Sequence, residues 1–425
     1  MNHLPRLAAC AIAGGLVLGP ATAQTTPTTH RPPATGPTAA AATAPVGLAA
    51  ALDAAWQRAV AARESEGQRR RADADRSAAG SLWAAPPALE LSHRNDRWQR
   101  NSGNRETEIG IAVPLWLPGQ RAARVAAADA ALSQASAAEQ AARLRLAGEL
   151  REAAWSLSAL SAEAAQGDGQ AAALERVLAD VERRVRAGDL ARADALAAEA
   201  EVLAAKAQQA EVHQRVQAAR THWKLLTGMT AMPDTSTPGT ADDPAAAPAT
   251  VHPELEHARQ ATEQARKRLA LVRQSRRDAP ELTLGLRQDV PGRAEPTQNS
   301  LVVGLRLPFG TDDRNRPLEA AALSELDIAQ TTEQRLSEKL EAEQAAAREA
   351  VRSAQAQADA ETARAKLLRE RATLIDKSFR AGETPLPDLL RALAATSEAD
   401  ASAARQQAAL GLAKARLHQS LGVMP

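Results

Sequence analysis

The sequence predicts a mainly α-helical fold with a small β part, built as a duplicated unit of β-hairpin plus long helical hairpin. Composition is the first reason: 44% of the residues are hydrophobic, much of that alanine, and only 2% are aromatic. Ala, Glu, Arg, Gln and Leu at this density favour long helices packed through small side chains. The second reason is an internal repeat at one offset, 194 residues, which carries Pro86 to Pro280, Gly110 to Gly304, Pro114 to Pro308 and Gly228 to Gly422. The same offset superposes Leu174 on Leu368, Val181 on Ile375, Arg186-Ala187-Gly188 on Arg380-Ala381-Gly382, and Asp194 on Asp388. Glycine and proline are scarce enough that their shared register identifies two copies. The third reason is that each copy holds two short stretches of period-two alternation between helical stretches.

Each copy opens with a helix, expected over about Leu48 to Ala79 and Pro253 to Arg277, with a proline just past its end. Two strands follow in each. Leu89, Leu91 and His93 alternate with Glu90, Ser92 and Arg94, and Ile109, Ile111, Val113 and Leu115 alternate with Glu108, Gly110 and Ala112. In the second copy Leu282, Leu284 and Leu286 alternate with Thr283, Gly285 and Arg287, and Leu301, Val303, Leu305, Leu307 and Phe309 with Val302, Gly304 and Arg306. Such strands have one apolar and one wet face. Pro114 and Pro308 mark the passage from strand to helix.

From about Gln120 and Pro317 the pattern turns helical for some 65 residues, a rod on the order of 100 Å long. Leu174, Leu178, Val181 and Val185 form one packing face. Each rod reaches Arg-Ala-Gly, where Gly188 or Gly382 suits a left-handed cap, and then starts a return helix with acid near its positive end. Asp194 and Asp388 fit that capping role as well as any contact with a partner. Gly167-Asp168-Gly169 predicts a kink or short break in the first rod, since each interior glycine costs roughly 1 kcal/mol relative to Ala.

The start of the chain reads as a signal peptide over 1–23, with an apolar run from Leu7 to Leu18 and the triplet Ala21-Thr22-Ala23, so that the mature chain begins at Gln24. The competing reading is a lipoprotein box at Leu7-Ala8-Ala9-Cys10, but the apolar core lies after Cys10 instead of before it. Residues 24–47 and 229–251 are rich in Pro, Ala, Thr and Asp without periodicity and read as linkers, leaving repeats at 48–228 and 252–425. Fifty-two basic residues against fifty-one acidic ones exclude the overall basic field that nucleic-acid binding relies on. No nucleophile elbow, phosphate loop or paired-carboxylate motif argues for an enzyme, and the histidines form no metal-ligand cluster. No cofactor is expected.

No run after the signal approaches the roughly 20 apolar residues of a spanning helix. Four strands with one apolar face cannot sit in a bilayer unless their edges are paired, and closure takes about eight strands or more. Several chains must then share one barrel, whose wet face lines a passage continued by the helical rods. At this point the order of elements resembles the TolC family of outer-membrane efflux ducts. The resemblance is carried by Val113-Pro114-Leu115-Trp116, Leu307-Pro308-Phe309, Arg186-Ala187-Gly188 with Asp194, and Phe379-Arg380-Ala381-Gly382 with Asp388.

The resemblance implies a homotrimer with a shared outer-membrane β-barrel and a periplasmic α-helical tunnel, set in outer-membrane lipid and served by a periplasmic adaptor and an inner-membrane efflux pump. It makes Arg186, Ala187, Gly188, Asp194, Arg380, Ala381, Gly382 and Asp388 the docking tips. The Arg-Ala-Gly-Asp/Glu tip is most similar to the CzcC-type heavy-metal branch, which implies heavy-metal cations as cargo, with drugs as the alternative. Arg391 stands where some members place a second aspartate of an acidic ring, and the aromatic girdle is thin, with no Tyr in the chain. The other functional classes compatible with a coiled-coil hairpin are a periplasmic adaptor, which needs one hairpin flanked by a lipoyl-like domain, and a structural coiled coil, which needs no strands.

Overall fold

Alternating apolar and helical patterns resolve, among the described residues, into eleven elements: α1 (Leu48–Arg58), α2 (Val60–Ala79), β1 (Ala88–Asn95), β2 (Arg105–Pro114), α3 (Gln120–Ala187), α4 (Arg192–Thr227), α5 (Pro253–Gln274), β3 (Glu281–Val290), β4 (Gln298–Arg306), α6 (Asp312–Arg380) and α7 (Leu386–Ser420). The computed structural model describes residues 44–98, 101–235, 251–293 and 295–425. The signal peptide expected at 1–23 and most of both linkers lie outside them. The last residues before α1 and the first after α4 are held to each other: the Val46 N–H donates to the Met232 carbonyl at 2.9 Å and the Asp234 N–H to the Val46 carbonyl at 2.8 Å. Met229 and Met232 pack on the core around Trp223, whose indole N–H donates to the Ala231 carbonyl at 3.0 Å.

The first helix is two helices. Ala59 is extended, with ψ near 138°, so the chain bends between α1 and α2. The bend separates two packing tasks, because α1 lies against both α3 and α4 whereas α2 follows α3 alone. Alanine's small side chain gives this break no sequence signal. The second long helix also starts earlier than Pro317, at Asp312, so that proline is its sixth residue. Its missing N–H leaves the Asp313 carbonyl without its helical donor, a loss water can meet because Asp313 is exposed there.

Helix contacts run from α4 to α3, from α3 to α7 and from α7 to α6, with α5 between α3 and α6 beyond the end of α7. The buried side of α3 is mostly alanine, with Leu144, Leu150, Leu157, Leu174 and Val181 between, which lets neighbouring axes approach closely. At the joint of α7 with α5, Nδ1 of His252 accepts the Glu254 N–H at 3.2 Å and so caps α5. Burial holds the His252 pKa below its ordinary value, against the upward pull of Glu254. Arg151, only 5% exposed, donates from α3 to the Gln419 side chain and, at 2.7 Å, to the Val423 carbonyl, tying down the end of α7. Burial pushes its pKa down to about 10.

The short break expected at Gly167-Asp168-Gly169 is corrected, since α3 runs as helix through all three residues. Packing on both sides of the site, through Ala164 and Ala171, outweighs the local cost, and Asp168 is held across to α4 by Gln209 Nε2 and His213 Nε2, each at 2.8 Å. These bonds lower the Asp168 pKa, Gln209 contributing most. A Cβ added at Gly167 or Gly169 meets nothing within 4 Å. Gly167→Ala and Gly169→Ala should therefore each stabilise the protein by about 0.5–1 kcal/mol, and denaturant unfolding of the purified protein that shows either variant weaker than the parent would refute this.

Candidate functional site

The four strands form one antiparallel sheet in the order β1-β2-β3-β4, with β1 and β4 as open edges. Register places like with like. Leu89, Ile111, Leu284 and Val303 form one row across the sheet, and Leu91, Ile109, Leu286 and Leu301 the next. Val113, Leu282 and Leu305 add a third row on the same face. That face ends in a polar row, where the His93 ring and the Thr107 hydroxyl hydrogen-bond at 2.9 Å and the Gln288 amide donates to Asn299 at 3.4 Å. Among the described residues nothing covers the apolar rows: Leu91 is 70% exposed and Leu301 71%.

The opposite face carries Glu90, Gly110, Gly285 and Val302 in one row, and Ser92, Glu108, Arg287 and Ser300 in the next. Arg287 pairs with Glu106 at 2.8 Å on this face. Gly110 and Gly285 must stay bare, because a Cβ on Gly285 would lie 2.9 Å from the Ile109 carbonyl oxygen. One face is therefore oily and the other small, polar and charged. Pro114 is the last residue of β2, and Pro308 lies two residues past β4, so both stand where strand gives way to helix.

At the far end of the rods the two hairpin tips lie side by side. Val181 and Ala198 of the first share a core with Phe379, Leu386 and Leu389 of the second. Gly188 and Gly382 are left-handed, at φ 88° and 81°. The chain turns identically after both helices, the Asp189 N–H donating to the Arg184 carbonyl at 2.9 Å and the Glu383 N–H to Ser378 at 3.0 Å. Arg186, Ala187, Arg380 and Ala381 are exposed beside them.

The two tip aspartates, equivalent by repeat, are used differently. Asp194 accepts the Ala191 N–H at 3.1 Å and closes the start of α4. In the second copy the same position is Pro385, which has no N–H to give, and Asp388 pairs with Arg391 instead. Arg391 thus neutralises the acid at that tip. Arg186 and Arg380 pair along their own helices with Glu182 at 3.9 Å and Asp376 at 2.8 Å.

Sequence reading missed Arg184. Its guanidinium lies 4.8 Å from the centre of the Phe379 ring, donates to the Phe379 carbonyl at 3.2 Å and pairs with Asp180 at 3.2 Å. It caps the negative end of α6 from α3 and binds one tip to the other. The repeat gives no sign of it, since its counterpart is Ser378. Among the described residues no group of three or more His, Cys, Asp or Glu could hold a metal ion, and no helix is long and apolar enough to cross a membrane.

No family model matches the sequence, and no curated protein matches it. Solved structures do match in fold. The outer membrane protein VceC of Vibrio cholerae is 16% identical over 88% of this chain and 96% of its own, with a TM-score of 0.69. The CmeC outer membrane channel of Campylobacter jejuni is 13% identical over 88% and 85%, at 0.70. The open state of the MtrE outer membrane channel of Neisseria gonorrhoeae is 18% identical over 88% and 89%, at 0.65. The mainly helical fold with its small unclosed sheet is that of these channel proteins.

Proposed function

We propose that this chain is one subunit of a trimeric outer-membrane efflux duct of the TolC type, a passive exit for cargo delivered through a periplasmic adaptor by an inner-membrane pump. One observation carries the reading: the sheet is apolar on one face, small and polar on the other, and open at both edges, at one end of helical rods. An apolar face of this kind is stable against lipid only when the edges are closed, and twelve strands from three chains make a barrel with a wet lumen. The fold shared with outer-membrane channels supports the same reading. Heavy-metal cations are the cargo we assign, on the likeness of the Arg-Ala-Gly-Asp/Glu tip to the CzcC-type branch. Within the proposal the residues 1–23 direct export, and the eight tip residues meet the adaptor or pump.

The test is mass measurement in detergent, joined to gel mobility with and without heating. A trimer that shifts on heating is the expected result, and a stable monomer or dimer would sink the proposal. Expression in a strain that keeps its efflux pumps and adaptors but lacks its own duct decides the cargo: restored resistance to metal cations supports the assignment and resistance to drugs alone overturns it.

A further inference from the structure

The open edges of the sheet meet between copies, and the internal repeat fixes how. This inference rests on the trimeric reading above and adds a register to it. Within the chain β2 meets β3 with Ile111 opposite Leu284, and the ladder ends at Pro114 opposite Glu281. The two hairpins are themselves equivalent: Ala88 faces Ala112 in the first and Glu281 faces Arg306 in the second. Second strands therefore superpose as Ile111 on Leu305, and first strands as Leu91 on Leu284. A closed ring alternates the seam within a chain with the seam between chains, and one strand tilt and stagger all round requires both seams to share a register.

We propose that β4 of one copy pairs antiparallel with β1 of a second copy of this chain, with Leu305 opposite Leu91. Every other pair then follows. Leu307 falls opposite Leu89 on the oily face and Arg306 opposite Glu90 on the wet face. Pro308 ends this ladder opposite Ala88, as Pro114 ends the other opposite Glu281. A slip of one residue sets apolar side chains against the wet face, and a slip of two separates Glu90 from Arg306.

The helices supply an independent observation for the same occupant. Apart from Val60 at the start of α2, every exposed large apolar side chain on the described helices lies on α4 or α6, the two ends of the helical row. Leu196 and Leu203 follow Gly188 by eight and fifteen residues, and Leu374 and Leu367 precede Gly382 by eight and fifteen. They are 57%, 62%, 59% and 67% exposed in that order. Each stripe is exposed for α4 of one copy to lie against α6 of the next. Leucines spaced by seven residues on antiparallel helices form a packing seam.

Cysteine pairs in the full chain test the register. Oxidation of a variant carrying L91C and L305C should give covalent dimer and trimer bands absent from either single variant. The pair L91C with L301C, four positions or about 13 Å along the strand, should give none. Glu90→Arg should cut the heat-resistant trimer several-fold, and Arg306→Glu in the same chain should restore it. A ladder from L91C with L301C, or a trimer that no designed pair links, overturns the register while leaving the duct intact. A protein that is monomeric by mass overturns the duct itself.

Discussion

An arginine in place of Leu286 is expected to abolish membrane insertion. Leu286 sits in the row formed with Leu91, Ile109 and Leu301, on the face that none of the described residues covers. A cation on the lipid face of a barrel costs about 2–4 kcal/mol near the bilayer midplane, and a ring of three chains bears that cost three times. The heat-modifiable trimer should vanish from the outer-membrane fraction. Ser92→Arg is the control, since Ser92 lies on the wet face opposite Glu108, where a cation is paired and stays hydrated. Wild-type trimer from L286R would remove the oily face from lipid and with it the barrel. Loss from both variants would point to general damage to the sheet.

Gly188→Val and Gly382→Val should leave export and assembly intact and abolish efflux. Both glycines have positive φ, where a β-branched residue is strained by roughly 1 kcal/mol or more. Nothing lies within 4 Å of an added Cβ at either, so the cost is all in the backbone and falls on the turn alone. Long buried faces on α3 and α6 hold the rods regardless. What changes is the shape of the exposed Arg-Ala-Gly surface. Full resistance from both variants at wild-type abundance, in a strain lacking its own duct, would remove the tips from the docking surface.

The parts of the fold legible in the sequence were those written in scarce residues. Gly188 and Gly382 take the left-handed conformation expected of caps, Gly228 and Gly422, matched by the repeat, take it too, and each stands out against an alanine background. The strands were legible because their alternation is strict on both faces. What escaped were features set by neighbours distant in sequence. Ala59 bends the chain because α1 and α2 pack on different helices, and no alanine announces that. The first strands superpose with Leu89 on Leu282, one residue off the offset that carries Pro86 to Pro280, and only the ladder shows the slip. At the tips, the glycines and aspartates could be found from the repeat, but Arg184 and the Asp388 pair with Arg391 break it.

The pairing of Gly110 with Gly285 joins strands about 175 residues apart, whereas each hairpin closes over a short turn. Closing so long a loop costs chain entropy before any bond is gained, and contacts of high sequence separation slow folding. The two hairpins and the first helical pair can form as each is made. The middle of the sheet must wait until β3 has been made. A part-made chain therefore carries one oily ribbon in place of a sheet, and the completed sheet is timed by the meeting of the chain's two halves.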